Sequence, residues 1–178
     1  MSSTPVDLIY QSAKTYQHSA GFSCCFRQWK AESHCNKLHG YALKVEVVFE
    51  GTLDYRNWVV DFGSLNRFKQ WLVDTFDHKV LIAKDDPNRQ EITVFNGQTG
   101  LMDIVIVDAV GCEKFAEMIF TWLDVNMTEP NAKVQSVQVW EHEGNSAKVI
   151  RKPRSSVHSD SDVDLMPIAE ELRNGRYT

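Results

Sequence analysis

The sequence has no apolar run that approaches the length of a membrane span, which argues against a bilayer-crossing helix. It has no basic excess either. Lys and Arg number 19 against 24 Asp and Glu, a net charge of −5, and general nucleic-acid binding needs a basic face. None of the four cysteines forms a C-x-x-C pair, which argues against a structural zinc knuckle. The opening MSSTPVDLIYQ has no basic stretch followed by an apolar one, so no signal peptide is expected. Reduced thiols and a cytoplasmic location follow as expectations. No internal repeat is visible. The rest is ordinary for one globular domain: 178 residues, 43% hydrophobic and 24% charged.

The chemistry is concentrated in residues 22–41, FSCCFRQWKAESHCNKLHGY, a connection between two strand-like segments. Cys24 and Cys25 lie in a strand-like run, and they and Cys112 read as small buried hydrophobes. Cys35 differs, because Ser33, His34, Asn36 and Lys37 around it are polar. A cysteine beside His and Lys is where a thiol pKa falls and a nucleophile becomes plausible. Arg27, Lys30 and Lys37 crowd the same connection.

Residues 1–14 are polar and read as a lead-in, 15–151 as the domain, and 152–178 as a C-terminal extension. Even spacing of Tyr16, Phe22, Cys24 and Phe26 predicts one strand over 15–26, bent at Gly21. Tyr41, Leu43, Val45, Val47 and Phe49 make one apolar face of a strand over 41–50. WVVDF at 58–62 is a short apolar run. Ser64 is positioned to cap a helix whose inward residues are Leu65, Phe68, Leu72 and Phe76, ending near Asp77. Residues 85–100 read as a polar loop with at most a short strand at 92–95. A strand follows at 101–107, then a helix over 112–125 with Phe115, Ile119, Trp122 and Leu123 inward. A strand over 134–143 turns at Gly144-Asn145 and pairs back through 147–151. Glu141 shares the apolar face of Val137 and Val139, so it either escapes at the strand end or is buried with a partner. Residues 152–164 read as a flexible link and 166–173 as a short helix. The order is α+β with mostly hairpin-connected strands.

Five segments, in order, resemble the 6-carboxy- and 6-pyruvoyl-tetrahydropterin synthase family. Cys35-Asn-Lys-Leu-His39-Gly40 resembles its C-x-x-x-H-G-H, with the spacing of the carboxy-pterin branch. WVVDF is similar to its hydrophobic-x-D-F, and Phe76-Asp77-His78-x-x-Leu81 to its L-D-H-x-x-L-N. Glu113 sits where P-T-x-E opens the second helix, although Val110-Gly111 replaces P-T. Glu141 sits where the family anchors the pterin.

The resemblance implies a tunnelling fold: a four-stranded antiparallel sheet with two helices on one face, closed into a barrel by several copies, commonly a hexamer. It implies a lyase acting on 7,8-dihydroneopterin triphosphate in 7-deazaguanine (queuosine) biosynthesis. Cys35 would be the general acid/base, partnered by His78, which Asp77 orients. Glu141 would grip the pterin edge through two parallel N–H bonds, with Glu113 beside it. Arg27 and Lys37 would suit the triphosphate. The family also implies zinc held by three histidines. At those positions this chain has Phe26, His39 and Tyr41, so only His39 is retained. Cys24, Cys25, His34 and His18 are the candidates for replacement ligands. A metal-free enzyme, or a pterin- or purine-binding protein without activity, stands as the alternative.

Overall fold

A computed structural model describes residues 7–153; the expected link at 152–164 and helix at 166–173 fall almost wholly outside the described residues. Two sheets are formed. The first is antiparallel, in the order β1 (Tyr10–Tyr16), β4 (Lys44–Gly51), β7 (Ala132–His142), β8 (Asn145–Ile150). The second runs β3 (His39–Ala42), β2 (Ser23–Phe26), β5 (Lys79–Ala83), β6 (Asp103–Val107) and is mixed, because β5 lies parallel to both β2 and β6. The helices are α1 (Asn66–Phe76), α2 (Arg89–Thr99) and α3 (Cys112–Asn126).

The period-two face is real: Leu43, Val45, Val47 and Phe49 are fully buried, against Val134, Val137 and Val139 of β7. α1 and α3 lay Phe68, Leu72, Phe76, Phe115, Ile119 and Leu123 into the same core. Trp71 and Trp122 stack between the two helices at 4.9 Å.

Several expectations are corrected. The strand over 15–26 is two strands in different sheets. Gly21, at φ 93, closes a 3-10 turn over His18–Ala20 and turns the chain from β1 into β2. β1 begins at Tyr10, inside the expected lead-in, and its polar edge residues hid it. The strand over 41–50 also divides, at Leu43, between β3 and β4. α1 starts at Asn66 without a side-chain cap; Asp61 instead caps the 3-10 turn Phe62–Leu65 that leads into it, accepting from the Gly63 amide at 2.8 Å, while Ser64 donates back to the Asp61 carbonyl. Residues 89–99 form α2, not a loop. None of its residues is buried, so no apolar stripe marked it in the sequence. β5 was not anticipated, and its α2 crossover to β6 makes the second sheet partly parallel where hairpins were expected.

Candidate active site

The backbone around β2 fixes where the candidate groups stand. The His78 amide donates to the Ser23 carbonyl at 2.7 Å, at the start of β2. The Gln28 amide donates to the Cys35 carbonyl at 2.9 Å, just past its end. At about 3.3 Å per extended residue, those two anchor points stand on the order of 10–16 Å apart. Cys35 and His78 are therefore anchored at opposite ends of β2, and no hydrogen bond joins them among the described residues.

At the first end, His78 Nδ1 lies 2.7 Å from Asp77 Oδ1, which leaves Nε2 free. His78 has a left-handed backbone, φ 57, unusual for a side chain of its size, and its side chain is 86% exposed. At the other end, Cys35 sits half-buried in a 3-10 turn, His34–Asn36, whose amide is capped by Ser33. Lys37 is exposed beside it.

A second group of side chains gathers around Tyr41. Its ring lies 5.4 Å from His39 and 6.0 Å from each of Phe26 and His142. Burial raises its phenol pKa, and the Glu141 carboxylate and the Cys35 and Cys112 thiols are near enough to add to that rise. Cys35 and Glu141 thus share one neighbourhood of a single chain. Burial pushes the Cys112 thiol up to about 12, while the backbone amides of Glu141 and Ala147 approach its sulfur and oppose the rise. Cys24 is likewise pushed up to about 12 by burial, and Cys25 is raised by the same cause. Glu113 opens α3. A Cβ on Gly111, at φ 109, would stand 2.9 Å from Gln28 Nε2 and 3.6 Å from Glu113 Oε2, so only glycine fits there.

His142 is the neighbour of Tyr41 that the sequence did not single out. Strict alternation put His142 on the face opposite Glu141, but a register shift between Trp140 and His142 breaks the alternation there.

Arg27 is occupied elsewhere. Its Nε and Nη2 donate to both oxygens of Asp86 at 2.8 and 2.6 Å, its Nη2 also to Asn88 and its Nη1 to the Asn36 carbonyl. This fork clamps the Cys35 turn to the β5–α2 connection, so the guanidinium is not free for a triphosphate. Lys30 is bound to Asp85 at 2.6 Å.

The three zinc positions do converge: the Phe26, His39 and Tyr41 rings stand 5.2 to 6.0 Å apart. Their donors do not fit zinc. Phe26 offers none, and Tyr41 is held as a neutral phenol. His39 keeps one nitrogen free, since its Nδ1 lies 2.6 Å from the Lys37 carbonyl. Cys24, Cys25, His34 and His18 do not complete a set; among the described residues no group of three His, Cys, Asp or Glu side chains is placed to hold a metal. No described helix is long and apolar enough to cross a membrane.

A sheet carrying a Cys-x3-His turn, an Asp-His pair and a strand-borne glutamate places the molecule among the pterin synthases. The sequence model of 6-pyruvoyl tetrahydropterin synthase matches residues 15–152, and the chain belongs to that family. It is 27% identical over 139 residues to the 6-carboxy-5,6,7,8-tetrahydropterin synthase of Aquifex aeolicus, covering 75% of this chain and 83% of that one. A Pyrococcus abyssi protein, provisionally given the same name, is 28% identical over 142 residues, 74% of this chain and 87% of its own. Among solved structures, an uncharacterised protein of Wolinella succinogenes superposes with a TM-score of 0.71 at 25% identity, covering 82% of this chain and all of that one. The 6-pyruvoyltetrahydropterin synthase of Plasmodium vivax shares the fold, with a TM-score of 0.59 at 16% identity over 83% of this chain and all of that one.

Proposed function

We propose that the protein is a lyase of the 6-carboxytetrahydropterin synthase type, acting on 7,8-dihydroneopterin triphosphate on the route to 7-deazaguanine compounds. Its active site is assembled between copies of the chain. The observation that carries this reading is the placement of Cys35 and His78 at opposite ends of β2. A thiol and an imidazole that act together must then come from two copies, in a symmetric oligomer, most simply a hexamer whose sheets close into a barrel. β1 and β8 are the open edges of the antiparallel sheet and the natural seams of that closure.

In this reading the pterin lies beside Tyr41, with Glu141 accepting two N–H bonds from its guanidine-like edge. Glu113 and the amides at the start of α3 flank it, the amides standing in for the absent threonine. Cys35 moves a proton at the substrate side chain, and the neighbouring copy's His78, held in one tautomer by Asp77, relays it. Zinc in the family supplies Lewis-acid polarisation. The residues at Phe26, His39 and Tyr41 do not fit that metal, and no step is routed through it.

That mismatch favours a second reading, a binder that keeps the Glu141 anchor without turnover. Incubating the purified oligomer with 7,8-dihydroneopterin triphosphate and following 6-carboxytetrahydropterin by chromatography separates the two. Product that disappears in Cys35→Ala supports the lyase. Tight pterin binding with no product supports the binder.

A further inference from the structure

The basic side chains of the 22–41 stretch cannot all receive the substrate's triphosphate, because Arg27 and Lys30 are bound to Asp86 and Asp85. A different set of cations lines a cavity of about 370 Å³ between the end of β1, the turn at 17–20 and the start of α1. Lys14, Gln17, Ser19, Asn66 and Lys69 line it over the apolar floor of Tyr16 and Phe62. None of the described lining residues is a carboxylate. Glu46 accepts from Thr15, which points to the other side of the sheet from Lys14 and Tyr16. Lys14 is half-buried, its Nζ 5.7 Å from the Tyr16 ring and 5.6 Å from the Phe62 ring, with no acidic partner among the described residues. Lys69 is exposed and has none among the described residues either.

The cavity adjoins the Asp77–His78 pair. Ala20 lines it, and a Cβ on the next residue, Gly21, would stand 4.0 Å from Asp77 Oδ1. We propose that this cavity is the seat of the substrate's polyphosphate, with Lys14 and Lys69 neutralising it. Resting on the lyase reading, this places the pterin in the Tyr41–Glu141 neighbourhood of one copy and the tail on the next. The reacting carbons then lie between them, at Cys35 and the neighbouring His78. Two lysines on flexible stems suit an anion that must enter and leave each turnover, and hydroxyl and amide donors from Ser19 and Asn66 supply the remaining hydrogen bonds.

The test uses inorganic tripolyphosphate as probe, titrated by calorimetry into the full-length oligomer. Lys14→Met and Lys69→Met are each expected to weaken binding at least about tenfold, while Lys14→Arg keeps it and affinity falls steeply with salt. Unaltered circular dichroism shows that the variants fold; Lys69, being exposed, gives the cleaner case. No binding to the wild type, unchanged affinity in both Met variants, or a loss confined to Lys37→Met overturns the proposal. Turnover of the pterin triphosphate is read in parallel. Lysine-dependent tripolyphosphate binding without turnover leaves the anion seat standing and removes the lyase. Turnover with an unchanged KM in both Met variants leaves the lyase and removes the seat.

Discussion

Arg27 and Asp86 lie 59 residues apart, and no local pattern pairs them. Asp86 is buried, and the Arg27 fork holds its carboxyl below the usual range. Removing one partner of such a pair strands a charge. Asp86→Ala should therefore cost about 3 kcal/mol in urea unfolding and loosen the Cys35 turn through the Arg27–Asn36 bond. The buried thiols set the alkaline limit. Cys24 and Cys112 are raised from 9.0 to about 12, so the folded chain keeps protons that the unfolded chain releases. Their contribution is full below pH 9 and is lost as pH rises towards 12, and the urea midpoint should decline across that window. A flat midpoint there would mean that these thiols are not buried. Burial keeps Cys24, Cys25 and Cys112 as thiols at neutral pH, so iodoacetamide should modify Cys35 first, read by peptide mapping. The Phe26–His39–Tyr41 triangle carries its own check: elemental analysis of protein purified without added metal should find well under one zinc per chain. A stoichiometric zinc would contradict the donor analysis.

α2 and α3 differ in what holds them. α3 buries Phe115, Ile119, Trp122 and Leu123, while α2 buries nothing and ends at Gly100, with the Asn96 side chain bonded to the Met102 backbone. Amides of α2 should exchange with solvent much faster than those of α3; equal protection would mean that another surface covers α2. The same contrast explains what the sequence revealed. α1, α3, β4 and β7 announced themselves by the spacing of the face they bury, whereas β5 buries Leu81, Ile82 and Ala83 in a row and shows no period of two. α2 did not announce itself either, having no buried face, and neither did β1, a polar edge. The break at Leu43 was invisible because Tyr41, Leu43 and Val45 keep period two straight across it while the chain passes from one sheet to the other. For the candidate site, resemblance alone pointed to Cys35, Asp77, His78, Glu113 and Glu141. Their distribution was not legible in the sequence, since it depends on β2 holding two loops apart and on a bulge beside Glu141 that strict alternation does not foresee.

At the scale of the whole molecule, the proposed lyase makes assembly a condition of activity, because it pairs Cys35 of one copy with His78 of the next. Light scattering of the full chain should give a multiple of 20.4 kDa at micromolar concentration. The most direct test is subunit complementation. Cys35→Ala and His78→Ala oligomers, each inactive alone, are dissociated, mixed in equal amounts and reassembled, and turnover of 7,8-dihydroneopterin triphosphate is measured. With one residue drawn from each of two neighbouring copies, about a quarter of the interfaces in a random mixture pair an intact Cys35 with an intact His78. The mixture should therefore recover about a quarter of wild-type turnover. Reassembled mixtures that stay inactive, although wild-type oligomers taken through the same cycle recover, would contradict a site shared between copies.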